Sequence, residues 1–259
     1  MFCVRGGLVA AVAALALVSC SSNDGNGAVA TLPTLAETVA PPTSASSSTV
    51  ASTSSTVVEV PTTSSSVTMA PGVVGLSPDG PWRLVDSAPG VTTPGLVYEL
   101  MPKLWAFIQV EETDQSTYSW TLNEADRPII EAYLNAQLTY FTAVTSTPIN
   151  LDLPGWTEFY ADGGKAQRDR LAQRRLDGQV VDMDLGVVLQ PQVLGDERTN
   201  DTAIVSDCIL DGSVFRTVDG SLADGSTLGV TRLAWFARMR LVNGSWVVLE
   251  EGRVSEGCL

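Results

Sequence analysis

Asp207 lies in the stretch TAIVSDCIL (202–210), where it shares one face of an alternating run with Ala203, Val205 and Ile209. A carboxyl group among such neighbours is desolvated, and desolvation raises its pKa towards the range of a general base. It is the one candidate catalytic residue. The competing reading, which the sequence favours, is a structural ion pair with Arg232 or Arg238 on another strand. Asp182 and Asp184 alternate along a second run. As a pair they suit acid–base work, but alternating acids on a strand are more often its solvated face. Tyr140, Trp156, Tyr160 and Trp235 are candidate walls of a pocket for an apolar ligand, with plain core packing as the alternative. Residues 165–175 carry Lys165, Arg168, Arg170, Arg174 and Arg175. That face suits an anionic glycan, a lipid headgroup or a partner, or is simply solvated. The chain has no histidine. Its absence removes Ser-His-Asp and Cys-His catalysis and every histidine-containing zinc site. No metal or cofactor is expected.

The N-terminus addresses a different question. One positive charge, Arg5, precedes an apolar stretch from Leu8 to Val18. Eleven helical residues rise about 16 Å, against about 30 Å of bilayer core, so the stretch fits a signal peptide rather than a span. It ends Leu17-Val18-Ser19-Cys20, which resembles the lipobox of bacterial lipoproteins. The resemblance implies cleavage after residue 19 and a diacylglycerol on the Cys20 thiol. It also implies further acylation such as palmitate and anchoring at the extracytoplasmic face of a cell membrane. Two acyl chains suffice for stable anchoring where one does not. Cys3 then leaves with the signal and Cys20 is consumed. Cys208 and Cys258 remain, and two cysteines in an exported domain read as a disulfide. They are too few for a thiolate zinc site. The net charge of −14 repels phosphates, so nucleic acid is not an expected partner.

Composition divides the rest. No lysine or arginine occurs from Ser21 to Pro81, and 17 of the 26 residues from Thr43 to Thr68 are Ser or Thr. Such a stretch cannot bury enough apolar surface to offset its ordering entropy. Residues 20–81 therefore read as a disordered stalk. Its composition also suits O-glycosylation. All six tryptophans fall at or after Trp82, which places a single globular domain at 82–259.

Within that domain, LVYEL (96–100) and LWAFIQV (104–110) read as strands, forming a hairpin against the main body. In 123–145, apolar residues recur at Ile130, Leu134, Leu138 and Phe141, the spacing of a helix. Asn123 or Asp126 can cap it, and Asp126 suits Pro128 better because proline then sits in the first turn. A short helix at 154–164 is broken by Gly163-Gly164, and a second spans 165–178, stopped near Gly178. Strands follow: one long strand over 179–193, then 202–210, SVFRTV after Asp211-Gly212, 226–242 and 245–254. Asn243-Gly244 between the last two is a strong hairpin signal, because both turn positions need positive φ. Leu233, Trp235, Ala237, Met239 and Leu241 share one face, with Arg232, Arg238 and Arg240 on the other.

Helices followed by hairpin-linked strands predict an α+β domain, with N-terminal helices packed on a curved, mostly antiparallel sheet. The 123–145 helix, the Trp156/Phe159/Tyr160 turn and the strands from 179 to 254 resemble the cone-like fold of nuclear-transport-factor-two-like and SnoaL-like proteins. The same order resembles extracytoplasmic domains of actinobacterial proteins associated with mammalian-cell-entry complexes. A cystatin-like or lipocalin-like barrel is the competing fold. No catalytic position of the cone enzymes can be matched here, and a fold does not transfer an activity. The leading expectation is a non-catalytic, cell-surface domain that binds an envelope protein or an apolar small molecule. A carboxylate-dependent isomerase or cyclase of the SnoaL-like type is the alternative. A structural accessory subunit of an envelope complex is a further one.

Overall fold

A computed structural model of the chain describes residues 72–110, 120–254 and 258. The expected signal peptide, Cys20 and the expected stalk up to residue 71 lie outside the described residues. Packing begins ahead of the expected domain start at 82: Val74 lies against the main core, and Leu76 is buried and donates its N–H to the Tyr98 hydroxyl at 3.1 Å. Trp82 then donates its indole N–H to the Ser77 carbonyl at 2.7 Å.

The domain is α+β with a mostly antiparallel sheet. Its strands are β1 (Arg83–Val85), β2 (Gly95–Met101), β3 (Leu104–Gln109), β4 (Val180–Asp182), β5 (Val187–Leu189), β6 (Pro191–Val193), β7 (Thr202–Asp211), β8 (Val214–Arg216), β9 (Thr231–Val242) and β10 (Ser245–Arg253). Its helices are α1 (Arg127–Thr145), α2 (Gly155–Glu158) and α3 (Lys165–Leu176). The main sheet runs β1-β2-β3-β5-β7-β9-β10, with β6 also paired to β7, while β4 and β8 form a separate pair.

α1 forms where its spacing predicts. Asp126 is the N-cap residue and Pro128 lies in the first turn. The Asn123 side-chain oxygen accepts the N–H groups of Ala125 and Asp126 at 3.0 and 2.9 Å, closing the turn that leads in. Ile129, Ile130, Tyr133 and Leu134 are fully buried against the sheet, each apolar side chain contributing about 1.5–3 kcal/mol. They meet Leu104, Ile108, Leu189, Val205, Ala237 and Met239 in the main core. A smaller cluster on the opposite sheet face joins Ala88, Val97, Phe107, Val188 and Leu210.

The β9–β10 hairpin has the expected two-residue turn, with Asn243 at φ 52° and Gly244 at φ 85°. Val242 pairs with Ser245, and Leu233, Trp235, Ala237 and Met239 of β9 face the main core. The register slips between Val248 and Glu250. This bulge moves Glu251, rather than Glu250, onto the face that carries Val248.

Three expectations are corrected. The long strand over 179–193 is three short ones. Asp182 accepts the Asp184 N–H at 2.9 Å and Gly186 adopts φ 75°, so the chain turns there. A side chain at Gly186 would also strike the Trp105 ring, its Cβ lying 2.4 Å from the nearest ring carbon. The strand expected over 226–242 starts at Thr231, because Gly229 at φ 95° breaks the extended run. The β2–β3 hairpin does not merely lie against the body. β3 pairs in parallel with β5, Leu104 opposite Val187, and so extends the main sheet.

Candidate functional site

On α1, Tyr133 and Gln137 stand four residues apart and therefore on one face, directed at the sheet. Across the sheet, Asp207 of β7 pairs with Trp235 of β9, and Val205 with Ala237. Ala237 in turn pairs with Glu251 of β10. Two carboxyl groups thus share the core-facing side of the sheet, diagonally across β9. One turn of α1 supplies a donor to each.

Asp207 is 1% exposed. Its Oδ2 accepts the Tyr133 hydroxyl proton at 2.8 Å, and its Oδ1 accepts the Gln190 backbone N–H at 2.6 Å. Burial pushes its pKa up to about 7, and these two hydrogen bonds pull in the other direction. The expected ion pair is absent. Arg232 pairs opposite Leu210 on the other face of the sheet, and Arg238 reaches Glu250 at 3.3 Å instead. β-strand alternation is the reason: both arginines occupy the face opposite to Asp207. Burial also holds Tyr133 well above the usual phenol range, with the Asp207 charge next in size.

Glu251 is half-buried. Its Oε2 accepts the Gln137 side-chain amide at 2.8 Å and the Trp235 indole N–H at 3.5 Å, and its Oε1 accepts the Gln167 amide. Gln167 is fixed in orientation, because its own oxygen accepts from Arg170. Burial pushes Glu251 up to about 7, opposed first by the bond from Trp235, then by Gln137, Arg170 and Gln167. Glu251 borders a cleft of about 450 Å³ between β10 and the segment that leads from Tyr160 into α3. Tyr160, Lys165, Gln167, Val248 and Leu249 also line it, and Asp207 does not. A second, more open recess of about 200 Å³ lies between α1 and α2, around Thr139, Leu153 and Phe159.

The four aromatic candidates separate. Tyr160 lines the cleft, with its hydroxyl donating to the Ala136 carbonyl at 3.0 Å. Trp235 reaches the site through its contact with Glu251. Trp156 is a core residue, 1% exposed and packed 5.1 Å from the Tyr160 ring. Tyr140 does not line the cleft, and its ring meets Phe141 edge-on at 5.3 Å. Neither Trp156 nor Tyr140 lines this cleft.

Asp182 and Asp184 are not an acid–base pair. Asp182 binds Arg216 at 2.9 Å, which lowers its pKa and ties β4 to β8. Asp184 binds Lys103 at 2.9 Å. The basic stretch of α3 is largely engaged within the domain. Lys165 meets Asp169 at 2.5 Å, and the Arg174 guanidinium lies 3.7 Å from the Phe215 ring centre. Cys208 and Cys258 form a disulfide with Cα atoms 5.4 Å apart. Among the described residues, no group of three or more carboxylate or cysteine side chains converges as a metal site.

Sequence reasoning missed Glu251, Gln137 and Gln167. Gln137 offered a signal: it is a polar residue within the apolar stripe of Ile130, Leu134 and Phe141. Glu251 offered none, since simple alternation from Val248 selects Glu250.

No family model and no curated protein sequence matches the chain. Two solved structures similar to it are the intermembrane space region of the chloroplast protein ARC6 and the association domain of C. elegans CaMKII. The first has 13% identity and a TM-score of 0.40, spanning 52% of this chain and 100% of that one. The second has 14% identity and a TM-score of 0.32, spanning 51% of this chain and 100% of the other.

Proposed function

We propose that the chain is a lipoprotein whose C-terminal domain is a non-catalytic binding module at the extracytoplasmic face of a cell membrane. Diacylglycerol on Cys20 is the anchor, the Ser/Thr-rich segment that follows it is the tether, and the helices on the antiparallel sheet are a cone of the nuclear-transport-factor-two-like type. The observation that carries the binding reading is the sealing of Asp207. A cone enzyme needs its carboxylate to touch the substrate, and a group 1% exposed beneath the Tyr133 hydroxyl is denied that contact. The cleft beside Glu251 is what remains for a ligand, and its size falls within the range of small-molecule sites. The Cys208–Cys258 disulfide supports an oxidising compartment.

Two measurements test this reading. Full-length protein expressed in a bacterium with the lipoprotein pathway is expected to yield a mature N-terminus at Cys20 carrying diacylglycerol by mass spectrometry. Cys20→Ala is expected to release the protein from membranes or leave the signal uncut. A lipid-free mature form starting elsewhere removes the anchor from the proposal. Native mass spectrometry of the purified chain is expected to retain a bound molecule or partner, and Leu249→Arg in the cleft to abolish that retention.

A further inference from the structure

Glu251 is held on several sides at the border of the cleft. Gln137, Trp235 and Gln167 donate to its carboxylate, and the Tyr160 hydroxyl is a further hydrogen-bonding neighbour. The Gln167 amide cannot be reversed without facing its N–H groups at Arg170. The carboxylate is therefore held in place before any ligand arrives. Among the described residues no cation forms an ion pair with Glu251, and Arg170 acts on it only at a distance. A carboxyl group held half-buried without a counter-ion, at the edge of a cleft, lacks the partner that would make its charge favourable there.

The cleft wall says what kind of partner fits. Four carboxylates line it, Asp162, Asp169, Glu250 and Glu251, against the single ammonium of Lys165. Lys165 is already held by Asp169, and Glu250 by Arg238. Among the described residues, Asp162 and Glu251 form no such ion pair. Between them stand apolar surfaces from Tyr160, Ala166, Val248 and Leu249. We propose that this cleft takes an organic cation, an ammonium or guanidinium group joined to an apolar body, with Glu251 as its anionic seat. The inference rests on the binding reading above and names the chemistry of its ligand. Either a free amine or a lysine or arginine side chain presented by a partner supplies that chemistry.

The elevated pKa of Glu251, about 7, adds a consequence. A cation beside the carboxylate favours the ionised form and lowers that value. Binding near neutral pH therefore releases a fraction of a proton per ligand, up to about half. The other titratable or charged groups near it are Tyr133 and Tyr140 from α1, Tyr160 and Asp162 from the segment before α3, Arg170, Lys165 and Asp169 from α3, and Glu250 on its own strand.

The test uses the unmodified full chain and three probes of equal shape: phenethylammonium, 2-phenylethanol and 3-phenylpropanoate. The readout is the ¹⁵N–¹H resonance of the Trp235 indole, whose N–H points at Glu251, assigned by Trp235→Phe. The ammonium is expected to shift that resonance saturably and to bind at least ten-fold more tightly than the alcohol, with no binding of the carboxylate. Calorimetry in two buffers at pH 7 is expected to show proton release. A capped Leu-Arg-Leu peptide forms the second arm: if it binds more tightly than phenethylammonium, the source is a partner side chain, and if less tightly, a free amine. Glu251→Gln is expected to weaken the ammonium at least ten-fold while leaving near-ultraviolet circular dichroism unchanged. Equal or tighter binding of the neutral or anionic probe overturns the charge inference and leaves the binding module standing. If no probe of any charge shifts the resonance, this ligand class is wrong, and retention of a native molecule then decides separately on the binding reading.

Discussion

Asp207 and Glu251 sit on the same face of the same sheet, and burial pushes both to about 7. Asp207 is closed in by a tyrosine hydroxyl and a backbone N–H, while Glu251 is held by two glutamines and an indole at the border of a cleft. Perturbed titration is therefore a poor locator of function on its own. It reports loss of water, and water is lost equally beneath a packed helix and beside a site. Access separates the two cases. Asp207 fastens α1 to β7, whereas Glu251 is available to something from outside.

The sharpest way to disturb the pair is the bridge that connects their strands. The Cys208–Cys258 disulfide joins the residue after Asp207 to the tail beyond β10 and closes a separation of 50 residues. Its loss, as Cys208→Ala with Cys258→Ala, is expected to cost about 4 kcal/mol in denaturant unfolding by the chain-entropy account. Hydrogen exchange is expected to accelerate more around Glu251 than around Asp207, since the bridge secures the end of β10. Equal acceleration in both regions would show that they are one cooperative unit.

Next in size is Asp207→Ala. It strands the Tyr133 hydroxyl and the Gln190 N–H in the interior, at about 1–3 kcal/mol each, so a loss of about 3 kcal/mol is expected. Glu251→Ala is expected to cost less than half as much, because water in the cleft can reach the freed amides. Costs in the reverse order would break the comparison.

The pH dependence follows. Ordinary values for the unfolded chain are 3.8 for Asp207 and 4.5 for Glu251, and both lie near 7 when folded. Between those limits the folded state binds more protons than the unfolded one, so stability falls as pH rises. It is full below about 4 and reaches its floor above about 7. For Asp207 the loss from pH 5 to pH 7 is about 2 kcal/mol. Urea titrations at pH 5 and pH 8 measure the total, and Asp207→Asn is expected to remove its share. A domain more stable at pH 8 than at pH 5 contradicts this assignment. The smallest effect is that of Glu251→Gln, expected to change stability by less than about 1 kcal/mol because an amide still accepts one of the three bonds.

The sequence revealed the parts of this arrangement that depend on neighbours along the chain. α1 followed from a stripe at helical spacing and a proline in its first turn. The β9–β10 turn followed from Asn243-Gly244, whose backbone needs few other residues can meet. Asp207 was legible as buried, because Ala203, Val205 and Ile209 share its face. Its partner was not, since the choice between an arginine and a tyrosine depends on how α1 lands on the sheet. Glu251 was hidden by the bulge beside Leu249, one extra residue that inverts the alternation after it. The run at 179–193 reads as a single strand until the Asp182 side chain captures the Asp184 N–H and folds the chain back.

The parallel pairing of β3 with β5 bears on how the molecule is made. Leu104 must find Val187, and everything between them, all three helices included, forms the loop that this contact closes. Closing such a loop costs about 4 kcal/mol in chain entropy, whereas the β9–β10 hairpin closes over two residues. Folding is therefore expected to begin at the C-terminal strands, with the β1–β3 segment docking late. Val248→Ala is expected to slow refolding, while Val97→Ala chiefly hastens unfolding. During synthesis the order of emergence is the opposite. The β1–β3 segment leaves the ribosome first and waits, with the β3 edge open, until β5 arrives. That interval exposes a strand rich in branched and aromatic residues to other chains.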